Sequence, residues 1–303
     1  MTMKHYCCMN CGFWQRRFAA PSTCPVCEDY RHPLPPDGYL FLTAEQIDAQ
    51  QSVTIEPVLP GLTRYQTSPS IGIGSCGYLL EHPRGNLHFD GCGWYDSAAL
   101  EHMRERGGVA MLAASHSHVF GGLWRVAEAF EPTTVFQDRM LNLCQAFRVT
   151  RPFDAAFNLH DPTGRVPDDP NAGDGLNLYL TAGHTPGHTV LHDPQRRWLF
   201  CGDALKFTFP KPGQTVGVAD TVSCHKAYDS HIPLTHDDCR AYLTLFERLA
   251  FDVVITPWEV VTEGGRDGAL RMLHAYLDAL PSADPFPLAG VAGDRPLTPT
   301  PHH

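Results

Sequence analysis

Two histidines one residue apart, His116 and His118, stand at the end of a short apolar run in the stretch AASHSHVFGG. Alternate residues of an extended chain face one side, so both imidazoles can address one ion. His184 ends a second strand-like piece, in TAGHTPGHT, where Pro186 and Gly187 set a turn. Asp203 closes a third, LFCGDAL, after a glycine that lets the backbone come close. A lone histidine is more often a hydrogen-bonded core or surface residue than a ligand. Three such pieces at strand ends, in this order, point instead to a metal centre. An ion held there would polarise a carbonyl and lower the pKa of bound water to about 7. Asp203 would be a ligand or the base that orients that water. Iron(II) in the same place would resemble the two-histidine, one-carboxylate sites that activate oxygen.

A second set of donors opens the chain. Cys8-x-x-Cys11 and Cys24-x-x-Cys27 enclose residues 12–23. Two such pairs offer four thiolates to one ion, and metal binding replaces the core that a unit of ~35 residues lacks. The segment CMNCGFW…APSTCPVCE resembles rubredoxin-like knuckles and zinc ribbons over about the first thirty residues. One zinc, or one iron, is expected, in a structural or docking role. If the metal is iron, an electron relay with a redox partner stays open.

The elements that must position these groups are readable around them. GIGSCGYLLEH and NLHFDG read as strands, as do GVAMLAAS, LNLYLTA, HTVLHD, RRWLFCGD and DVVITP. DSAALEHMRERGG, with Asp96 as cap, GGLWRVAEAF, THDDCRAYLTLFERLAF, with a threonine cap, and RDGALRMLHAYLDAL read as helices. Residues 161–175 read as an exposed loop. Strands with helices interspersed predict sheets with helices packed outside. The expected division is a four-cysteine segment and linker over 1–38, a large domain over 39–281, and a Pro-rich tail of little order over 282–303.

The ordered set HSHVFGG, AGHTPGH and CGD resembles the metallo-β-lactamase superfamily, over about Ser52 to Leu280. The resemblance implies an α/β, four-layer αββα sandwich with the metal site at the edge where the two sheets meet. By position it makes His116, His118, His184 and Asp203 the metal ligands, with Asp203 also catalytic. Asp90, in NLHFDG, and His188 become residues that brace the ligands. The sequence departs from the family pattern His-x-His-x-Asp-His: Phe120 stands at the Asp position and Gly121 at the second His, and neither side chain can ligate. The late family histidine falls near Trp258 and Glu259. One ion, zinc or iron, is therefore expected instead of two. Glu259, with His225 and His231 in SCHKAYDSHIPLTHDD, are candidates for a further ligand or a substrate contact.

Composition bounds the reading. The 303 residues are 43% hydrophobic and 18% charged, as in soluble globular enzymes. A formal charge of −10 argues against nucleic acid as main partner. No stretch reaches the ~18 apolar residues of a membrane span, and no apolar core of signal-peptide length opens the chain. Eleven cysteines then read as reduced thiols and ligands in a cytoplasmic protein. The expected function is mononuclear, metal-dependent hydrolysis of an ester, lactone, thioester or amide in a small molecule. An iron-dependent oxidoreductase or dioxygenase is the alternative, and a non-catalytic metal-binding protein the third.

Overall fold

The computed structural model describes residues 2–28, 35–224, 234–278 and 286–288; His225 and His231 lie outside the described residues. Two seven-stranded sheets form the middle layers. The first runs in chain order: β4 (Ser52–Leu59), β5 (Leu62–Ser68), β6 (Gly77–Leu80), β7 (Leu87–Phe89), β8 (Met111–Ala113), β9 (Thr133–Gln137) and β10 (Arg151–Phe153). The second is ordered β11 (Ala156–Asn158), β12 (Asn177–Leu180), β13 (Thr189–Asp193), β14 (Trp198–Phe200), β18 (Val253–Ile255), β19 (Val260–Glu263) and β16 (Val216–Val218).

Period-two alternation assigns each strand residue to a layer. Tyr78, Leu80, Phe89, Leu191, Phe200, Ile255 and Val260 share the core between the sheets. There the Phe89 and Phe200 rings meet edge-on at 5.5 Å. Their neighbours face outward. Leu79 and Leu112 pack with Ala99 and Met103 of α2 (Ser97–Glu105) and with Val126 of α3 (Leu123–Phe130). Val190, Leu199, Val254 and Val261 pack with α4 (His236–Arg248) and α5 (Gly265–Asp278) through Tyr242, Phe246, Met272 and Leu273. This is the αββα sandwich. Among the described residues no helix is long and apolar enough to cross a membrane.

The cysteine-bearing segment forms a three-stranded sheet of its own, ordered β2 (Trp14–Arg17), β1 (Lys4–Cys8) and β3 (Phe41–Thr43). The short α1 (Ala44–Asp48) follows directly, with Thr43 capping it. β3 lies beyond the expected linker, yet its Leu42 pairs with Cys7. The sheet therefore continues past residue 38. At the other end, β20 (Phe286–Pro287) pairs with β17 (Thr221–Cys224), which in turn pairs with β15 (Leu205–Thr208). This stretch of the expected tail is ordered because Leu288 is buried against the helix-side core and its N–H donates to Asp220 O.

Candidate metal centre

The first sheet supplies two histidines and the second a histidine and an aspartate. Beyond β8 the backbone runs extended to His116 (φ −166°, ψ 173°) and then closes into one 3-10 turn, Ser117–Val119. His118 sits inside that turn. The two rings converge, with centroids 4.9 Å apart, through the turn and not through strand alternation. His184 lies in the β12–β13 connection, and Asp203 in a 3-10 turn after β14. The sheets are joined at this edge, where Thr189 N–H donates to Ser115 O at 2.8 Å.

One nitrogen from each of His116, His118 and His184 and one oxygen of Asp203 lie within 4.8 Å of one another, all on buried residues. Asp203 Oδ2 is 3.3 Å from both His116 Nε2 and His184 Nε2. His184 Nε2 is 3.3 Å from His118 Nδ1. Donors set tetrahedrally about an ion at about 2.0–2.1 Å stand about 3.3–3.4 Å apart. The three 3.3 Å separations are thus those of donors that share one ion of zinc size.

Neighbours fix which nitrogen faces the centre. Asp90, held at φ +55°, accepts from Ser115 N–H at 2.6 Å and from Ser115 Oγ at 2.9 Å. With its proton given to Asp90, Ser115 Oγ accepts from His116 Nδ1–H at 3.0 Å. That leaves the lone pair of His116 Nε2 for a metal. Burial pushes the Asp90 carboxyl up to about 7. His188 is not among the four donors. Its Nε2 accepts the Asp203 N–H at 3.0 Å, so its Nδ1–H is the donor to Thr181 Oγ1 at 2.6 Å. Gly202, at φ +51°, permits this closeness: a Cβ there would stand 2.5 Å from Ser115 Cβ and 2.7 Å from His188 Nε2.

The two departures from the family pattern are built into the core. Phe120 is buried edge-on against Phe136 at 5.3 Å. It belongs to the same apolar cluster as the four cysteines and Phe13. Gly121 has φ +43°, and a Cβ there would meet Cys92 O at 2.1 Å. A histidine at 121 would need both a different backbone and the removal of a carbonyl. Glu259 is drawn elsewhere. Its Oε1 accepts from Lys206 Nζ at 3.3 Å and its Oε2 from Thr256 Oγ1, and it is not in the four-donor group. Trp258 Nε1 donates to Ile73 O at 3.3 Å.

Cys8, Cys11, Cys24 and Cys27 form the second group of buried donors. Cys8 and Cys27 Sγ are 3.7 Å apart, and Cys11 and Cys24 Sγ 3.6 Å. A metal–sulfur distance of about 2.3 Å gives a tetrahedral edge of about 3.8 Å. Hydrogen bonds within the thiol cluster hold Cys8 and Cys27 below the usual thiol range and Cys11 and Cys24 above it. Asn10 Nδ2 also donates to Cys27 Sγ at 3.3 Å.

Three residues around the histidine group escaped the sequence reading: Ser115, Thr181 and Tyr242. Tyr242, on α4, accepts from His184 N–H at 3.2 Å and donates to Ala182 O at 2.9 Å. Ser115 adjoins the histidine pair and could have been found by asking what braces His116. Nothing local marks Tyr242.

A buried three-nitrogen, one-oxygen centre at the edge of an αββα sandwich defines a metal-binding protein of the metallo-β-lactamase class. The chain belongs to the metallo-beta-lactamase superfamily, whose model matches residues 99–258. An uncharacterized protein of Bacillus subtilis (strain 168), YmaE, is 26% identical over 291 residues, 92% of this chain and 98% of the relative. Among solved structures, a metallo-beta-lactamase from Pontibacter korlensis has a TM-score of 0.50 at 17% identity, over 74% of this chain and 99% of that one. The flavodiiron core of Flv1 from Synechocystis sp. PCC6803 has a TM-score of 0.52 at 15% identity, over 75% of this chain and 61% of that one. At these identities the structural likeness is one of fold alone.

Proposed function

We propose that the chain is a mononuclear metal-dependent hydrolase of a small-molecule ester, lactone, thioester or amide. One observation carries the reading: four donors converge on one buried point, while Phe120 and Gly121 fill the places where further ligands would stand. Phosphodiester cleavage often uses two ions, whereas one ion suffices in many hydrolases of carbonyl substrates. Zinc held there with one position left for water would supply Lewis acidity toward a carbonyl and lower the pKa of that water to about 7. The protein's own residues do the rest. Ser115 and Asp90 hold His116 in one tautomer, and His188 holds the Asp203 backbone. Asp203 is the one carboxylate of the group, placed to take a proton from water attacking the carbonyl.

A second reading is supported by the same donor set together with the four thiols, since both suit iron as well as zinc. It is an iron-dependent oxidoreductase with the cysteine site relaying electrons to or from a redox partner. Elemental analysis of anaerobically purified protein, with turnover on a panel of the four substrate classes, separates the two. The hydrolase reading expects two zinc per chain and turnover lost in His184→Ala. Iron in the histidine site with no hydrolysis of any class overturns it.

A further inference from the structure

The four-cysteine unit is distant in sequence from the histidines, but besides the apolar cluster around Phe120 a turn joins them. Gly72 lies between β5 and β6 at φ +58°. A Cβ there would stand 2.2 Å from Cys11 C and 2.3 Å from Gly12 N. The turn therefore rests backbone-on-backbone against the first cysteine pair. Beside it Ile71 packs with Cys7, Trp14 and Trp94, and Trp14 Nε1 donates to Gly93 O at 3.0 Å.

The far side of the same turn is tied to the two edges of the metal centre. Ser75 Oγ donates to Gly91 O at 2.7 Å. Gly91 follows Asp90, whose carboxylate holds Ser115, whose hydroxyl holds His116. Cys76 N–H donates to Pro257 O at 2.7 Å, and Cys201 N–H donates to Ile255 O. Through these, the turn after β18 lies beside the turn that carries Asp203.

We propose that the metal-bound cysteine unit is a buttress for the histidine centre, acting through residues 71–76, with Gly72 and Ser75 as positioning residues. Loss of the cysteine-site metal frees the Gly72 contact and slackens the Ser75–Gly91 tie. The Asp90–Ser115–His116 chain then loses its support. Coupling is carried by a contiguous set of packed and hydrogen-bonded groups, and residues along such a set that touch neither site modulate it roughly 2–30-fold. The inference goes beyond the hydrolase reading and rests on it only in treating His116 as a ligand.

The test is amide hydrogen exchange on the full zinc-loaded chain, with zinc affinity of the histidine site measured by chelator competition. The variants are Cys11→Ser with Cys24→Ser, Gly72→Ala, Ser75→Ala and Ser75→Thr. Exchange at 71–77 and 90–92 should rise about tenfold or more in the double cysteine variant and in Gly72→Ala. Ser75→Ala should weaken zinc at the histidine site by roughly 2–30-fold. Ser75→Thr, which keeps the hydroxyl, should restore it. Unchanged exchange at 71–77 and 90–92 after loss of the cysteine-site zinc overturns the proposal, as does unchanged zinc affinity in Ser75→Ala. Should Gly72→Ala fail to fold, the serine variants decide alone. The exchange arm is read whether or not any hydrolysis is found, so failure of the hydrolase reading leaves it standing.

Discussion

His184, Asp203 and His188 occupy neighbouring places in the centre, and their contacts set different consequences for their loss. His184 Nε2 is one of the four converging donors, so His184→Ala should lose both metal and activity. Asp203→Asn should keep much of the metal, because three imidazoles remain, but lose most turnover, since an amide is no base. His188 touches the Asp203 N–H and Thr181. His188→Ala should therefore cost about 10–100-fold in affinity or rate. Metal content and turnover on the same preparations compare all three. Full activity in Asp203→Asn with metal bound would place the chemistry elsewhere.

Among the elements, α4 does more than cover the second sheet. Its start is closed by a capping box in which Thr235 and Asp238 each satisfy the other's backbone N–H, a device whose loss costs about 1 kcal/mol. One face of the helix places Tyr242 under the His184 turn, where the phenol bonds to both Ala182 and His184. Tyr242→Phe leaves His184 N–H without this acceptor and should lower stability by roughly 1–3 kcal/mol. It should also weaken metal binding at the histidine centre. Urea unfolding and chelator competition measure the two effects. Wild-type metal affinity in Tyr242→Phe would show that the turn is not held from the helix.

At the scale of the molecule, the two donor groups belong to different units that share the apolar cluster around Phe120. Replacing Cys11 and Cys24 by serine should remove one metal equivalent and destabilise the N-terminal sheet. The histidine centre should remain loaded at stoichiometric zinc, although less tightly. Disappearance of both metals at saturating zinc would refute separate sites. Acid stability is a second property of the whole. Burial in the first sheet pushes His88 down to about 3. The unfolded imidazole titrates near pH ~6.5, so below that pH the unfolded chain binds a proton that the folded chain refuses. The stability contributed by the neutral ring is complete above pH ~6.5 and is lost as pH falls toward ~3, by up to about 1.4 kcal/mol per pH unit. His88→Leu should show a shallower loss in urea melts between pH 7 and pH 4. Equal slopes in the two proteins would remove His88 from the explanation.

Helix caps at Asp96 and Thr235, the apolar strands that end at Ala113 and Phe200, and the paired cysteine spacings are all legible along the chain. Each is a local signal, expressed within a few residues of itself. The absence of ligands at Phe120 and Gly121 is equally legible, because it is a matter of residue type. Other features depend on partners far away in sequence. Glu259 turns to Lys206, the Phe286–Pro287 strand finds β17, and β3 adds to β1 across the expected linker. Tyr242 reaches His184 across 58 residues, and Gly72 meets Cys11 only because β5 and β6 bring their turn there. Residue type and local period decide what chemistry the chain offers and which segments are helix or strand. Which groups share a point, and which carbonyl each hydrogen bond finds, is decided by long-range packing, where no local pattern records the partner.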